Sequence, residues 1–142
     1  MTCRFRIPVL AAALAALPAA GALAADLSIR IDGIRAQAGQ LQIALVDSEA
    51  GWDNRAKPVR AVRQAPEGKS LQIVFEDLAP GDYAVMVMHD ENGNGKLDTN
   101  LIGIPVEGYG FSNNPRVMRK PTWDEARFAF GEAGQTIHID LR

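Results

Sequence analysis

The sequence predicts an all-β protein, a Greek-key β-sandwich of about seven short strands. Apolar and polar side chains alternate strictly in several runs, as in residues 27–31, and a period of two is typical of half-buried strands. Helical periodicity is almost absent. Glycine, proline and asparagine separate the runs, which is the pattern of a sandwich or, as the alternative, of a small barrel.

Each predicted strand follows from its own run of residues. The segment 33–39, which contains two glycines, predicts a hairpin between the first two strands. The run 83–89 is apolar on both faces, which predicts a central strand covered on both sides, whereas Pro58 favours an edge position for the third strand. A Thr-x-x-Glu capping pattern predicts one helical turn at 121–126. The seven predicted strands are 27–31, 41–45, 58–63, 71–75, 83–89, 126–130 and 136–141.

The first residues have the three parts of a bacterial signal peptide. A basic segment precedes an uncharged run rich in alanine and leucine, and an A-x-A cleavage site follows. We expect cleavage after Ala24 or Ala25, which makes residues 1–24 a leader and the protein periplasmic or secreted. A membrane anchor is the alternative, but Pro18 and Gly21 weaken the helical end of a run that is barely long enough to span.

Removal of the leader changes the composition of the chain. Arg4, Arg6 and the only cysteine, Cys3, are lost, so that 13 basic side chains remain against 17 acidic ones, a net charge near −4. The absence of cysteine excludes a disulfide scaffold. Mild acidity without a basic stripe argues against nucleic acid or anionic lipid as a partner. Residues 25–142 have the length of a single domain, and we expect no membrane span in them.

The most informative motif is the loop 90–98. It has oxygen-bearing side chains at loop positions one, three, five and nine, and a glycine at position six. EF-hand-type loops wrap calcium with this spacing, and the backbone carbonyl at position seven adds a further oxygen. The predicted calcium ligands are therefore the side chains of Asp90, Asn92, Asn94 and Asp98 and the carbonyl of Lys96.

Two departures from that pattern predict weak binding. Position twelve, where a bidentate glutamate normally completes the shell, is Leu101, and only two of the four side-chain ligands are charged. Such a site would bind calcium in about the 0.1–1 mM range of extracellular modules. Glu107 and Asp53 are candidates to complete the shell. The alternative is a metal-free loop, because two successive Asn-Gly pairs favour left-handed turns without an ion.

The segment 103–115 is a candidate ligand-facing loop. Its glycines, aromatics and paired asparagines suit contact with an envelope or extracellular ligand, a glycan or a peptide. Together with Trp52 and Trp123, its aromatics can offer flat apolar surfaces. The alternative, which the usual burial of aromatics favours, is that these rings fill the core. The candidate ligand-binding residues in this segment are Glu107, Tyr109, Phe111, Asn113 and Asn114.

We assign no catalytic residue and expect a binding or structural module that is not an enzyme. A hydrolase centred on His89 and Asp90 is the alternative, since a histidine beside a carboxylate can act as a general base. No nucleophile accompanies this pair, because Ser112 lacks the glycine-elbow context. The sequence contains no phosphate-binding loop and no zinc-ligand spacing.

Three segments carry a resemblance to a known family: 75–85 (FEDLAPGDYAV), 89–98 (HDENGNGKLD) and 104–114 (IPVEGYGFSNN). The chain resembles, from Leu27 to Leu141, the secreted bacterial family called domain of unknown function 2141. The resemblance implies a signal peptide, an envelope or extracellular setting and no established activity. The Leu-x-Pro-Gly-x-Tyr turn is similar to that of prealbumin-like and immunoglobulin-like sandwiches, which implies a fold of that kind but no function.

Overall fold

The structure, a computed structural model, describes residues 23–142. Within these residues the chain forms eight strands in two sheets and two short helices. The predicted all-β sandwich is confirmed, with one strand more than expected. No helix in this part of the chain is long and apolar enough to cross a membrane. The predicted leader lies outside the described residues except for its last two positions, and the immunoglobulin-like or prealbumin-like strand order stays a prediction.

All seven predicted strands are present, and the structure adds a strand and a helical turn. The added strand lies inside the glycine-rich segment after residue 90, where no alternation is visible. The added helical turn begins at Ser48, whose hydroxyl accepts the N–H of Gly51. In chain order the elements are β1 (Ala25–Asp32), β2 (Gln40–Val46), α1 (Glu49–Trp52), β3 (Arg60–Gln64), β4 (Ser70–Leu78), β5 (Gly81–Asp90), β6 (Tyr109–Phe111), α2 (Trp123–Ala126), β7 (Phe128–Phe130) and β8 (Gln135–Asp140).

The smaller sheet has the order β4-β1-β8. Strand β1 pairs antiparallel with β4 and parallel with β8, and Ile29 lies opposite both Ile73 and Ile137. The alternating residues Leu27, Ile29 and Ile31 are completely buried. Their period of two therefore directs one face of β1 into the core, as the sequence predicts.

The larger sheet has the order β3-β2-β5-β6, and β7 also pairs with β5. Strand β5 lies in its interior, as its continuous apolar run predicts, but the expected cover on both faces is incomplete, because Met86 and Met88 are only half buried. Strand β3 begins just after Pro58 and forms the edge, where a missing backbone N–H costs no ladder hydrogen bond. The inward side chains of both sheets form the main core, which includes Leu27, Ile43, Val85 and Ile139.

The predicted hairpin between the first two strands is wrong. β1 pairs with β4 and β8, whereas β2 pairs with β3 and β5, so the two strands belong to different sheets. The segment between them crosses from one sheet to the other, and Ile34 within it is buried in the core. At Gly39 the backbone has a φ of +72°, and an added Cβ would lie 1.9 Å from the Asp90 carbonyl oxygen.

A second, smaller core lies on the outer face of the larger sheet and consists of Val46, Trp52, Ala84 and Ala126. Both helical turns contribute to it, and the indole nitrogen of Trp52 donates to the Pro121 carbonyl oxygen at 2.8 Å. The predicted Thr-x-x-Glu capping box is confirmed at the start of α2. The helices therefore cover one end of this outer face.

Candidate functional site

The loop 90–98 begins where β5 ends and is organised by a single carboxylate. Asp90 is buried, and its Oδ1 accepts the backbone N–H groups of Gly93 at 2.9 Å and Asn94 at 3.1 Å. Its Oδ2 accepts the N–H of Gly95 at 2.8 Å and the Gln42 side-chain amide at 3.3 Å. Gly93 and Gly95 both have a φ of +78°, the left-handed conformation that glycine adopts without strain. The loop thus curls around the Asp90 carboxylate.

Three further side chains that the spacing selects come together across the loop. The Asp98 carboxylate accepts the amide of Asn92 at 2.5 Å and the amide of Asn94 at 2.9 and 3.0 Å. The Oδ1 atom of Asn92 accepts the Asn94 N–H, and that of Asn94 accepts the Lys96 N–H. The side chains of Asn92, Asn94 and Asp98 therefore share one small region, in which amide groups contact the carboxylate.

The remaining carboxylate of the loop, that of Glu91 at position two, pairs with Arg35 at 2.9 Å. Leu101, at position twelve, is fully exposed. Among residues 23–142 no three His, Cys, Asp or Glu side chains form a group that could hold a metal ion. Apart from Glu91, the charged oxygens that the loop offers are those of Asp90 and Asp98, so any cation there would also need amide and carbonyl oxygens.

Glu107 joins the two ends of the loop through hydrogen bonds. Its side chain is buried, and its two oxygens accept the N–H groups of Glu91 and Asp98, each at 2.9 Å. The other candidate for completing a shell, Asp53, pairs instead with Arg55 at 3.1 Å and is half exposed. The structure thus associates Glu107, and not Asp53, with the loop.

The paired asparagines of the segment 103–115 bind the chain itself. The Asn113 amide donates to the carbonyl oxygens of Glu125 and Arg127 at 3.2 and 2.8 Å. The Asn114 amide donates to the His138 carbonyl oxygen at 3.0 Å, and its Oδ1 accepts the N–H of Asp140 at 2.9 Å. Both residues have left-handed backbone conformations, so their local role is that of a hydrogen-bonded turn.

The aromatic side chains differ in exposure. Trp52 is buried and packs against Phe111, with ring centroids 5.7 Å apart. Phe111 and Tyr109 are only half buried, and their own rings are 5.9 Å apart on the outer face of the larger sheet. The Lys120 ammonium lies 4.9 Å from the Trp52 ring, and burial lowers the Lys120 pKa. The aromatics therefore divide into a core tryptophan and two half-exposed rings.

His89 lies inside the sandwich and is completely buried. Its Nε2 atom is 2.9 Å from the Ala38 carbonyl oxygen, and its Nδ1 atom has no hydrogen-bond partner among the described residues. Ser112 is buried as well, and its hydroxyl donates to the Ala126 carbonyl oxygen at 2.6 Å. Neither side chain is presented to a substrate in this arrangement.

The outer face of the larger sheet contains a groove that the sequence did not predict. Met86 and Met88 form its floor beside Tyr109 and Phe111, and Leu97 from the loop forms one wall. The only signal for it is the pair of methionines at alternate positions of β5. Whether they face the core or solvent depends on which neighbours cover that face, and the sequence alone does not give that arrangement.

One of the comparisons with known proteins gives a match. A family model described as "Uncharacterized protein conserved in bacteria (DUF2141)" matches residues 29–138. No curated protein and no solved structure matches the chain. The matched range includes the loop 90–98, Glu107 and the outer-face strands. It covers well over half of the 142 residues, and the chain therefore belongs to the bacterial family of domain of unknown function 2141.

Proposed function

We propose that this protein is an exported, non-enzymatic β-sandwich module in which calcium stabilises the loop 90–98. The observation that carries the proposal is the convergence of Asn92 and Asn94 on the Asp98 carboxylate. Rotation of the two amide groups would turn their oxygens towards the same region, and the spacing is that of an EF-hand-type loop. The ion would crosslink the loop and fix the segment 103–115 behind it as a recognition surface.

The available oxygens suit a weak site for a hard cation. Asp90 and Asp98 supply two charges, Asn92 and Asn94 supply amide oxygens, and Lys96 supplies a backbone carbonyl. Without an ion, the Oδ1 atoms of both asparagines each accept one backbone N–H, and rotation towards the ion would exchange these two hydrogen bonds for coordination. With two charged ligands, we expect a dissociation constant of about 0.1–1 mM.

Calcium would compete with hydrogen bonds that the loop already makes. The Asp90 carboxylate accepts four donors, which occupy its four lone-pair sites. The Gln42 amide is the most distant of them, at 3.3 Å, and is the donor that an ion would displace at least cost. Glu107 supports the site indirectly, because it holds the backbone of Asp98.

A metal-free binding module is the second candidate, and the same hydrogen bonds favour it. The loop is closed by protein donors alone, and Tyr109 and Phe111 remain half exposed for a glycan or peptide. Asn113 and Asn114 contribute less than their sequence suggests, since their amides bind backbone carbonyls. Burial of His89 weighs against the hydrolase alternative, because a general base must reach the substrate.

The periplasmic or secreted location is part of the proposal. It is supported by the basic segment, the apolar run and the A-x-A site in residues 1–24. An extracellular or periplasmic setting would also supply the calcium that a weak site of the extracellular type requires. Sequencing the N-terminus of protein recovered from the periplasm or medium tests cleavage after Ala24 or Ala25.

Thermal unfolding in EDTA and in about 5 mM calcium, a concentration that saturates a weak extracellular-type site, tests the metal proposal. If the dissociation constant is about 0.5 mM, calcium stabilises the fold by about 1.4 kcal/mol and raises Tm by roughly 5 °C. Asp98→Asn should abolish most of this rise and keep the shape of the side chain. Asp124→Asn, an exposed aspartate of α2, should retain it.

Magnesium provides a control for ionic strength and charge. A loop that closes around calcium accommodates magnesium poorly, because the smaller ion requires near-octahedral geometry. We therefore expect a clearly smaller rise with magnesium at the same concentration. An equal Tm in EDTA and calcium would reject the metal site and favour the metal-free binding module.

A further inference from the structure

The outer face of the larger sheet has an uncovered strip between two covers. The helices and Trp52 cover one end, and the loop that carries Leu97 rises at the other. Two cross-strand rows form the strip: Ala44, Met86 and Phe111 lie side by side in one, and Gln42, Met88 and Tyr109 in the next. Its floor is therefore mostly methionine and aromatic surface.

Three adjoining depressions make this strip a continuous groove. Their volumes are about 610, 330 and 210 Å³. The middle depression shares Met86, Met88 and Leu97 with the first, and it shares Tyr109, Phe111 and Lys120 with the third. Sites for small molecules have volumes of roughly 300–1,000 Å³, so the groove is large enough for one.

The charged side chains that line the groove all have the same sign. They are Arg63 and Lys96 in the first depression and Arg119 and Lys120 in the third, and no acidic residue lines any of the three. Arg119 pairs with Glu125 at 2.7 Å. Arg63 and Lys96 take part in none of the ion pairs that residues 23–142 form. On a chain of net charge −2, this local excess of cations favours an anionic ligand.

We propose that this groove binds one monomeric fatty acid, with its carboxylate at Arg63 and Lys96 and its hydrocarbon chain across Met86 and Met88. Arg63 of β3 lies opposite Gln42, so the groove runs across four strands from β3 to β6, a distance of about 14 Å at the usual strand separation. An extended laurate molecule has a similar length. Methionine suits such a ligand, because its flexible, polarisable side chain adapts to irregular apolar surfaces.

The floor suits a hydrocarbon chain better than a peptide or a sugar. On the face of a sheet the backbone N–H and C=O groups are paired with neighbouring strands, so a peptide backbone would find few partners there. The uncharged polar groups that line the groove are the Gln42 and Asn54 amides and the Tyr109 hydroxyl. Three such groups satisfy few sugar hydroxyls, whereas a hydrocarbon chain requires none.

The proposal goes beyond the calcium site and does not depend on it. The two regions do touch, because Lys96 and Leu97 belong to the loop and the Gln42 amide joins the floor to Asp90. The binding test is therefore performed in EDTA, which also prevents precipitation of calcium soaps. If the calcium test fails, the groove proposal is unaffected. If laurate does not bind, the calcium proposal is unaffected.

Isothermal titration calorimetry of the protein purified from the cell tests the groove. Laurate is added below its micellar concentration. We expect saturable one-to-one binding, about fivefold tighter than that of dodecanol, because an exposed ion pair contributes up to about 1 kcal/mol. Dodecylamine, which has the opposite charge, should bind more weakly than either. Arg63→Gln combined with Lys96→Gln should abolish the preference for laurate over dodecanol.

A second variant tests the floor against a matched control. Met88→Glu places a carboxylate under the hydrocarbon chain and should weaken laurate binding more than tenfold, since burying an unpaired charge is unfavourable. Val74→Glu makes the same change at an exposed strand position on the other sheet and should leave binding unchanged. Equal binding to Met88→Glu, binding unaffected by loss of both cations, or retention of an acidic peptide and not laurate would each overturn the proposal.

Discussion

The Glu107 carboxylate holds Asp98 in place: its Oε2 atom accepts the Asp98 backbone N–H at 2.9 Å. The Oε1 atom of the same side chain accepts the Glu91 N–H at the same distance. A single buried carboxylate therefore joins the beginning and the end of the loop 90–98. The loop also has a lateral support, since Arg35 pairs with Glu91 at 2.9 Å and donates to the Val106 carbonyl oxygen.

We expect Glu107→Gln to destabilise the protein by about 1–3 kcal/mol, the usual cost of leaving a buried donor unsatisfied. Glutamine offers one acceptor oxygen, so its NH₂ group would oppose one of the two backbone donors. Urea unfolding measures the loss, and amide hydrogen exchange at Glu91 and Asp98 locates it. Glu132→Gln, at an exposed position, is the control. Equal stability of the two variants would contradict the inference that Glu107 joins the two ends of the loop.

The two aspartates of the loop should differ when no metal is present. In EDTA, Asp90→Ala should cost about 2–3 kcal/mol, because a buried carboxylate that accepts three backbone N–H groups is lost. Asp98→Ala should cost less than about 1 kcal/mol, since it loses only hydrogen bonds to exposed amides. Denaturant unfolding of both variants measures the difference. The reverse order would mean that Asp98 organises the loop.

Two glycines provide a matched test of packing between β6 and β8. A Cβ added at Gly110 would lie 2.7 Å from Ile139 Cγ2 and 3.0 Å from the Asp140 carbonyl oxygen. Gly110→Ala should therefore destabilise the fold by about 1–3 kcal/mol through overpacking. A Cβ at Gly131 would meet nothing within 4 Å, so Gly131→Ala should be neutral or slightly stabilising. Thermal unfolding measures both, and an unaffected Gly110→Ala variant would contradict this close approach.

The stability of the α2 region should depend on pH through Glu125. Hydrogen bonds from Arg119 and from the Thr122 backbone lower the Glu125 pKa from 4.5 to about 2. Because the folded-state pKa is the lower one, the stabilisation is present above pH 4.5 and is lost as the pH falls towards 2. The Tm difference between the protein and Glu125→Gln should therefore narrow over that range.

Nuclear magnetic resonance titration tests the cause of this shift. Arg119→Gln should return the Glu125 pKa towards 4.5, because the side-chain hydrogen bond from Arg119 is the largest contribution. Lys69→Gln replaces a cation at an exposed position near β4 and should leave the titration unchanged. A Glu125 titration that Arg119→Gln does not move would show that the α2 backbone, and not Arg119, sets the pKa.

The local parts of the fold were predictable because they depend on local physics. Alternation with a period of two located the long strands, and the Thr122–Glu125 spacing located the capping box of α2. The spacing of the loop 90–98 also selected side chains that lie together around Asp98. In each case the residues concerned are near one another in sequence, so turn geometry decides which of them meet.

The parts that depend on distant pairings were not predictable. The expected hairpin failed because a glycine connection of seven residues suits a sheet-to-sheet crossover as well as a turn. The groove was missed because Met86 and Met88 become its floor only when β6 lies beside them. The sequence offered Glu107 only as one of two candidates to complete a metal shell. Its hydrogen bond to the Asp98 backbone was not predictable, since the course of the segment between them cannot be read from its residues.

The parallel pairing of β1 with β8 sets the order in which this protein can fold. β1 is the middle strand of the smaller sheet, and one of its two partners lies near the other end of the described chain. During synthesis β1 and β4 can meet early, but the Leu27–Asp32 ladder stays open on one side until β8 has emerged. Contacts so distant in sequence slow folding. On the proposal that the protein is exported, this slow step would give the chain time to reach the translocation machinery while it is still unfolded.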